Sequence, residues 1–512
     1  MQGAGFKAVI IFLMLSIMAF IAGSLAADSA SSALVPTLLV IGVFFLLYLG
    51  KNAWALVFIV PSVLSVLNFD ILQKLPVGNM IAGVVLFYIL LMAMMGHQRL
   101  RWNSIFYFDI IFLIFYVYFL YGWVRHPVTL REFTSITDYG YDQQLGGSVY
   151  VLAIASIFPF LVVSVIEQKL EKILFVLKLA FWITMAFSIF SMFRNYGELL
   201  NKNEAVATYG ESRISVFSHV GQNVINFLLC HSSFFGILMS PWKLMLAGAA
   251  AIGVLWSGAR MEILLILCTV LWVSYFKRQL LWLFCLALCT WGGLVYLSYQ
   301  TDFEALPNTA RRVLTALPGI KIDENRVGDA YNSINWRLKM WELAFDAEAG
   351  YIQDYTFGDG FGYSTYRERI RFTADSYGLI NVEVDYRQYA YTGGWHNGVV
   401  TAIHRIGYVG LVLMVWFILA ALCVIFSVYK SFPNVKNRVY GLYYIVFAFA
   451  SAVHVLAVHG FNLLFEQFVF IASIGKLLYC SLREEGYMKA ITTKGKYYVP
   501  LLMRKESEPE SL

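Results

Sequence analysis

Residues 397–429 read NGVVTAIHRIGYVGLVLMVWFILAALCVIFSVY. As a helix rising about 1.5 Å per residue, this mostly apolar run is long enough to cross the roughly 30 Å hydrocarbon core of a bilayer. Windows of the same character occur at 6–26, 33–50, 53–70, 77–96, 104–124, 148–166, 172–194, 216–240, 242–258, 260–276, 279–298, 438–458 and 460–480. Hydrophobic residues form 59% of the 512-residue chain and charged residues 14%, a balance that a water-soluble domain could not bury. The short alternating segments of a transmembrane β-barrel are absent. The expected fold is all-α, a polytopic transmembrane bundle of about fourteen spans.

The net charge of +6 is mild, and the basic residues lie in short interhelical loops rather than in one stripe, which argues against a nucleic-acid partner. The six cysteines, at 230, 268, 285, 289, 423 and 480, lie in or at the ends of apolar windows, so neither a disulfide framework nor zinc spacing is present. With a cytoplasmic N-terminus, the inner loops carry Lys51, Arg99, Arg101, Lys169, Lys172, Lys243, Lys277, Arg278, Lys430, Lys436 and Arg438, and the tail adds six more lysines and arginines. The other short loops carry fewer, so both termini are expected in the cytoplasm. The first window ends near Ser24-Leu25-Ala26-Ala27, which also has the look of a signal-peptide cleavage site. The chain then divides into eleven spans over 1–298, an outer loop over 299–395, three spans over 396–480 and a cytoplasmic tail over 481–512.

The outer loop holds fourteen acidic and ten basic residues and is rich in tyrosine and tryptophan. A segment of this length needs structure of its own. An amphipathic helix is expected from Ile334 to Glu348, capped by Asn332 or Ser333, with Arg337, Trp341 and Phe345 on one face. The run Thr356–Ser364 (TFGDGFGYS) predicts a tight turn with exposed backbone amides, through glycines that include Gly358 and Gly360. Directly after the loop come Trp395-His396-Asn397, nine residues, and then Gly407-Tyr408-Val409-Gly410.

A histidine followed by Asn, nine residues, Gly, two residues and Gly resembles the signature of the O-antigen ligase/polymerase superfamily. Ser257-Gly258-Ala259-Arg260 resembles that family's outer Ser-Gly-Ser-Arg turn, with Ala replacing one Ser. Arg337-Leu338-Lys339-Met340-Trp341 resembles its Arg-x-x-x-Trp helix. Gly221-Gln222-Asn223 lacks the proline that relatives often carry nearby. The likeness spans roughly residues 215–430; the N-terminal half matches only in being hydrophobic.

The resemblance implies a metal-independent glycosyltransferase, without cofactor, in a bacterial inner membrane. Its donor would be an undecaprenyl-diphosphate-linked oligosaccharide and its acceptor a second glycan at the periplasmic face, with a chain-length regulator or other polysaccharide-assembly proteins as further partners. His396 would be the base, with Asn397 orienting it, and Arg260 and Arg337 would hold the diphosphate. Guanidinium forks suit that task because they grip phosphate oxygens in pairs and stay charged. Imidazole has the right pKa for a base near neutrality.

Each residue also has a plainer reading. His396 would be a polar cap, Arg260 a snorkelling anchor, and Arg337 one arm of an ion pair with Glu342 or Asp346. His404, His454 and His459 read as core or cap residues. The size of the chain favours polymerisation over ligation to lipid A-core or to a protein. A flippase is the rival from another class, although internal repeats are missing and charges within the spans, such as Asp109 and Glu466, are few.

Overall fold

A computed structural model of the chain describes residues 48–59, 77–97, 100, 102–127, 148–186, 215–256, 260–300, 319, 338–346, 350–361, 395, 397–432, 435–457, 461 and 464–488. Among these residues the regular structure is helical and no strand occurs. After a 3-10 turn at Gly50–Ala55 come α1 (Val77–Met94), α2 (Phe106–Arg125), α3 (Ser148–Val165), α4 (170–186), α5 (Ser215–His231), α6 (Pro241–Trp256), α7 (Arg260–Phe276) and α8 (Leu280–Gln300). The loop contributes α9 (338–345), and the C-terminal part holds α10 (Gly398–Ser431), α11 (Val435–Ala457) and α12 (Val469–Glu484).

The helices at Phe106–Arg125, Gly398–Ser431, Val439–Ala457 and Leu464–Glu484 are long and apolar enough to cross a membrane, and shorter apolar helices accompany them. The chain is a helical membrane protein. The window at 6–26, most of those at 33–50 and 53–70, and the signal-like Ser24–Ala27 lie outside the described residues. One window is corrected. Residues 216–240 form two helices, because Ser233 caps a new one by accepting the Gly236 amide at 3.0 Å, and α5 stops at His231. A capping hydroxyl satisfies amides that a continuous helix would have paired internally.

α2 shows why an apolar sequence gives this fold. Phe108, Ile111, Phe112, Phe115, Tyr116 and Phe119 are buried, while Leu113, Val117, Tyr121 and Val124 are exposed. A helix that is apolar on both faces needs protein on one side and lipid on the other. The buried face builds an aromatic column: Phe112 stacks on Phe160 at 3.8 Å, Phe115 on Phe417 at 5.7 Å, and Phe119 meets Phe465 at 4.8 Å. Phe361, from the loop, completes the column at 5.6 Å from Phe119 and 5.2 Å from Phe461. Phe361 thereby anchors the loop in the aromatic core of the helical bundle.

At the other end of α2 the core turns polar. Lys476 is fully buried, ion-pairs with Asp109 Oδ1 at 2.8 Å and donates to Ser164 Oγ at 2.7 Å. Its ammonium also lies 4.1 Å from the centre of the Phe160 ring. A buried lysine needs such partners, since an unpaired charge there would be expensive. A π-helical turn at Leu464–Phe468 leads into α12, and Asn79 donates to the Phe465 carbonyl there at 3.4 Å. Among the residues of the tail, Glu485 accepts the Leu170 amide at 2.7 Å.

Candidate functional site

α10 is broken near its N-terminal end. At Gly407 the backbone takes φ 68° and ψ −177°, a region that favours glycine. The break strips helical partners from the His404, Arg405 and Ile406 carbonyls and from the Tyr408 and Val409 amides. Residues 355–360 of the loop take up most of these groups. The Asp359 amide donates to His404 O at 2.8 Å and the Gly360 amide to Arg405 O at 3.0 Å. In return, the Tyr408 and Val409 amides donate to Tyr355 O at 2.8 Å and Thr356 O at 3.2 Å. Tyr118, from α2, donates its hydroxyl to Ile406 O at 2.8 Å.

This corrects the expectation of exposed amides in the glycine-rich turn. The amides of Asp359 and Gly360 are committed to a broken membrane helix, and that of Gly358 to Asp354 O at 2.8 Å. The close approach explains the glycines. A Cβ on Gly358, at φ 81°, would lie 2.5 Å from Gly407 N, and one on Gly407 would strike Thr356 O. A Cβ on Gly410 would meet Ile406 and Tyr118, and one on Gly360 would meet His126.

Charged groups stiffen the turn. Asp354 Oδ1 accepts the Thr356 and Phe357 amides, each at 2.9 Å, and its Oδ2 pairs with Arg125 Nη2 at 2.8 Å. The Arg125 guanidinium lies 5.2 Å from the Phe357 ring centre. Asp359 accepts the Gln353 and Asp354 amides, each at 2.9 Å, and faces His404 Nε2 at 3.4 Å. Burial alone would raise both carboxyl groups. For Asp359, His404 and the two amides outweigh it; for Asp354, the Phe357 amide and Arg125 do so, and both acids are held below their ordinary range.

His404 is buried, and its Nδ1 accepts from Trp395 Nε1 at 3.0 Å. An indole nitrogen only donates, so Nδ1 carries no proton and the ring is the neutral Nε2–H tautomer, directed at Asp359. His404 therefore reads as a structural link between the start of α10 and the turn. Arg405, 1% exposed, donates from Nη1 to Gly360 O at 2.9 Å and packs over Phe361 at 5.4 Å.

Of the residues named from sequence, Gly358, Gly360, Gly407 and Gly410 come together in this unit. Asn397 is the N-cap of α10: its Oδ1 accepts the Val399 and Val400 amides, each at 3.0 Å. His396 and Arg337 lie outside the described residues, and of Arg260 only the backbone is described, as the first residue of α7. On α9, Met340 and Ala344 are fully buried, while the face bearing Trp341 and Phe345 is exposed by 39% and 49%. Among the described residues no group of three His, Cys, Asp or Glu side chains converges as a metal ion would require.

Arg125, Asp354, Asp359 and Arg405 are site residues that the sequence did not single out, whereas His404, expected as a core or cap residue, is buried in the unit. Asp354 precedes the glycine run and Asp359 lies within it, between Gly358 and Gly360, and that spacing was the available signal. No protein-family model matches the chain, and neither does any curated protein, so the family likeness rests on the motif residues alone.

Proposed function

We propose that the chain is a membrane glycosyltransferase that polymerises undecaprenyl-diphosphate-linked oligosaccharides on the periplasmic face of a bacterial inner membrane. One observation carries the reading: the loop glycines Gly358 and Gly360 and the helix glycines Gly407 and Gly410, separate motifs in the sequence, form one hydrogen-bonded unit. The N-terminal section of α10, with Asn397 as its cap, belongs to the same segment as Gly407. An enzyme needs its loop and its membrane helix fixed relative to each other where a lipid headgroup meets water.

In the proposed reaction, His396 takes the proton of an acceptor hydroxyl. The hydroxyl oxygen forms the new bond to the anomeric carbon of the donor glycan as the bond from that carbon to the diphosphate breaks. Arg260 and Arg337 hold the departing lipid diphosphate. Arg125 is a third candidate for that charge by its position beside the glycine turn, where it would have to exchange Asp354 for the diphosphate. A transporter would use charge within the membrane, but Asp109 is engaged by Lys476.

The test is reconstitution of the full chain with an undecaprenyl-diphosphate oligosaccharide, with and without EDTA. Wild type should extend the glycan in EDTA, and His396→Ala should lose at least about a hundredfold in rate, the usual scale of a general base. Retained transfer in His396→Ala would remove the assigned base. A ladder still on lipid diphosphate marks a polymerase, whereas transfer to lipid A-core or to a protein marks a ligase.

A further inference from the structure

We propose that the far end of the bundle, away from the glycine turn, holds a binding site for an anionic glycerophospholipid. Gly407 and Phe432 are separated by 25 residues, about 37 Å of helix, and near Phe432 a cavity of about 90 Å³ opens between α4, α5, α11 and α12. Phe181 and Trp182 of α4, Phe227 of α5, and Tyr440 and Tyr443 of α11 line it. The rings form a continuous wall: Phe181 stacks on Phe227 at 5.4 Å and meets Tyr443 edge-on at 5.3 Å, and Trp182 meets Phe227 at 5.4 Å. Trp182 is 54% exposed, so the wall is open on one side. An apolar slot of this kind takes hydrocarbon.

The rim is cationic. Lys178 Nζ lies 4.5 Å from the centre of the Tyr440 ring, and His231 meets the same ring edge-on at 5.7 Å. The next residue, Ser232, receives two more lysines, Lys243 on its hydroxyl at 2.9 Å and Lys277 on its carbonyl at 2.8 Å. Lys178 forms no ion pair with a carboxylate among the described residues, and its charge lies against a π face. An aromatic slot with lysines and a histidine at its mouth complements a lipid with acyl chains below and a phosphodiester above, as basic pockets between membrane helices do for anionic headgroups. The acyl chain would lie along the open side of the wall, against Trp182, and the phosphate would sit between Lys178 and His231.

The test uses the full-length protein in a neutral detergent. Binding of dioleoyl phosphatidylglycerol and dioleoyl phosphatidylcholine is compared by native mass spectrometry across a concentration series. One equivalent of phosphatidylglycerol should bind at least about fivefold more tightly, the scale of one lysine contact at an anionic surface. Lys178→Gln should abolish that preference while leaving phosphatidylcholine binding unchanged, and Lys178→Arg should retain it. Equal affinity for the two lipids would overturn the proposal, as would a preference that survives Lys178→Gln. Full displacement of phosphatidylglycerol by equimolar undecaprenyl phosphate would overturn it too, reassigning the cavity to the isoprenoid carrier. Glycan transfer is not read in this experiment, so its outcome is independent of the catalytic proposal.

Discussion

Gly358 and Gly407 are packed backbone to backbone: a Cβ on Gly358 would stand 2.5 Å from the Gly407 nitrogen. The loop turn and the broken helix are therefore one structural unit held by four reciprocal backbone hydrogen bonds. Gly407→Ala would add the strain of an essentially glycine-only backbone region, φ 68° with ψ −177°, about 1–3 kcal/mol, to a collision with the Thr356–Phe357 backbone. Gly350 provides the control, since it shares a positive φ of 63° but has open space where its Cβ would be. Gly350→Ala should lower thermal stability modestly and leave the turn docked. Gly407→Ala should lower it further and open residues 350–361 to limited proteolysis. Equal effects from the two variants would mean that the close approach is not needed.

Asn397 offers a cleaner separation of structure from catalysis. Its Oδ1 caps two amides at the start of α10. Asn397→Ala should cost about 1 kcal/mol through the lost cap, whereas Asn397→Asp keeps an acceptor at a helix N-terminus and should keep stability. If the cap is the whole role, Asn397→Asp also keeps glycan transfer near the wild-type rate. A stable Asn397→Asp protein without activity would return the residue to the chemistry.

How much of this was legible beforehand depends on the range of the interaction. Long apolar windows were readable because membrane crossing depends on local length and composition. The window at 397–429 gave a helix within two residues of its marked ends, at Gly398–Ser431. The break inside it was not readable, since glycine is common in membrane helices and its partner turn lies about fifty residues upstream. The same holds for Trp395, His404 and Asp359, which are joined only by folding. The split at Ser233 is a local capping feature, but the apolar run on either side masks it in the sequence.

The acid limb of the stability profile should report the Asp359 cluster. Its folded pKa lies below that of an unfolded aspartate, near 3.9, so the stabilisation is complete above that value and is lost as pH falls through the lower folded value. Thermal unfolding between pH 3 and 7 should show wild type and Asp359→Asn separated near neutrality and converging below about pH 4. Parallel curves across the range would show that the carboxylate charge contributes nothing there.

Lys476 tests whether the charge in the membrane core is structural. It is fully buried against Asp109 and Ser164. Removing one member of such a pair strands the other, and Lys476→Met should cost about 3–5 kcal/mol. The Asp109→Leu/Lys476→Met double variant removes both charges and should recover most of that loss. Ser164 would not be orphaned, because its hydroxyl also donates to Phe160 O at 2.7 Å. Unfolding of wild type, the two single variants Lys476→Met and Asp109→Leu, and the double variant in detergent micelles closes the cycle. Recovery of both stability and glycan transfer in the double variant identifies the pair as a brace. Recovery of stability without transfer would give the pair a part in function and reopen the transporter reading, since charge inside a bundle is what a transport cycle would use.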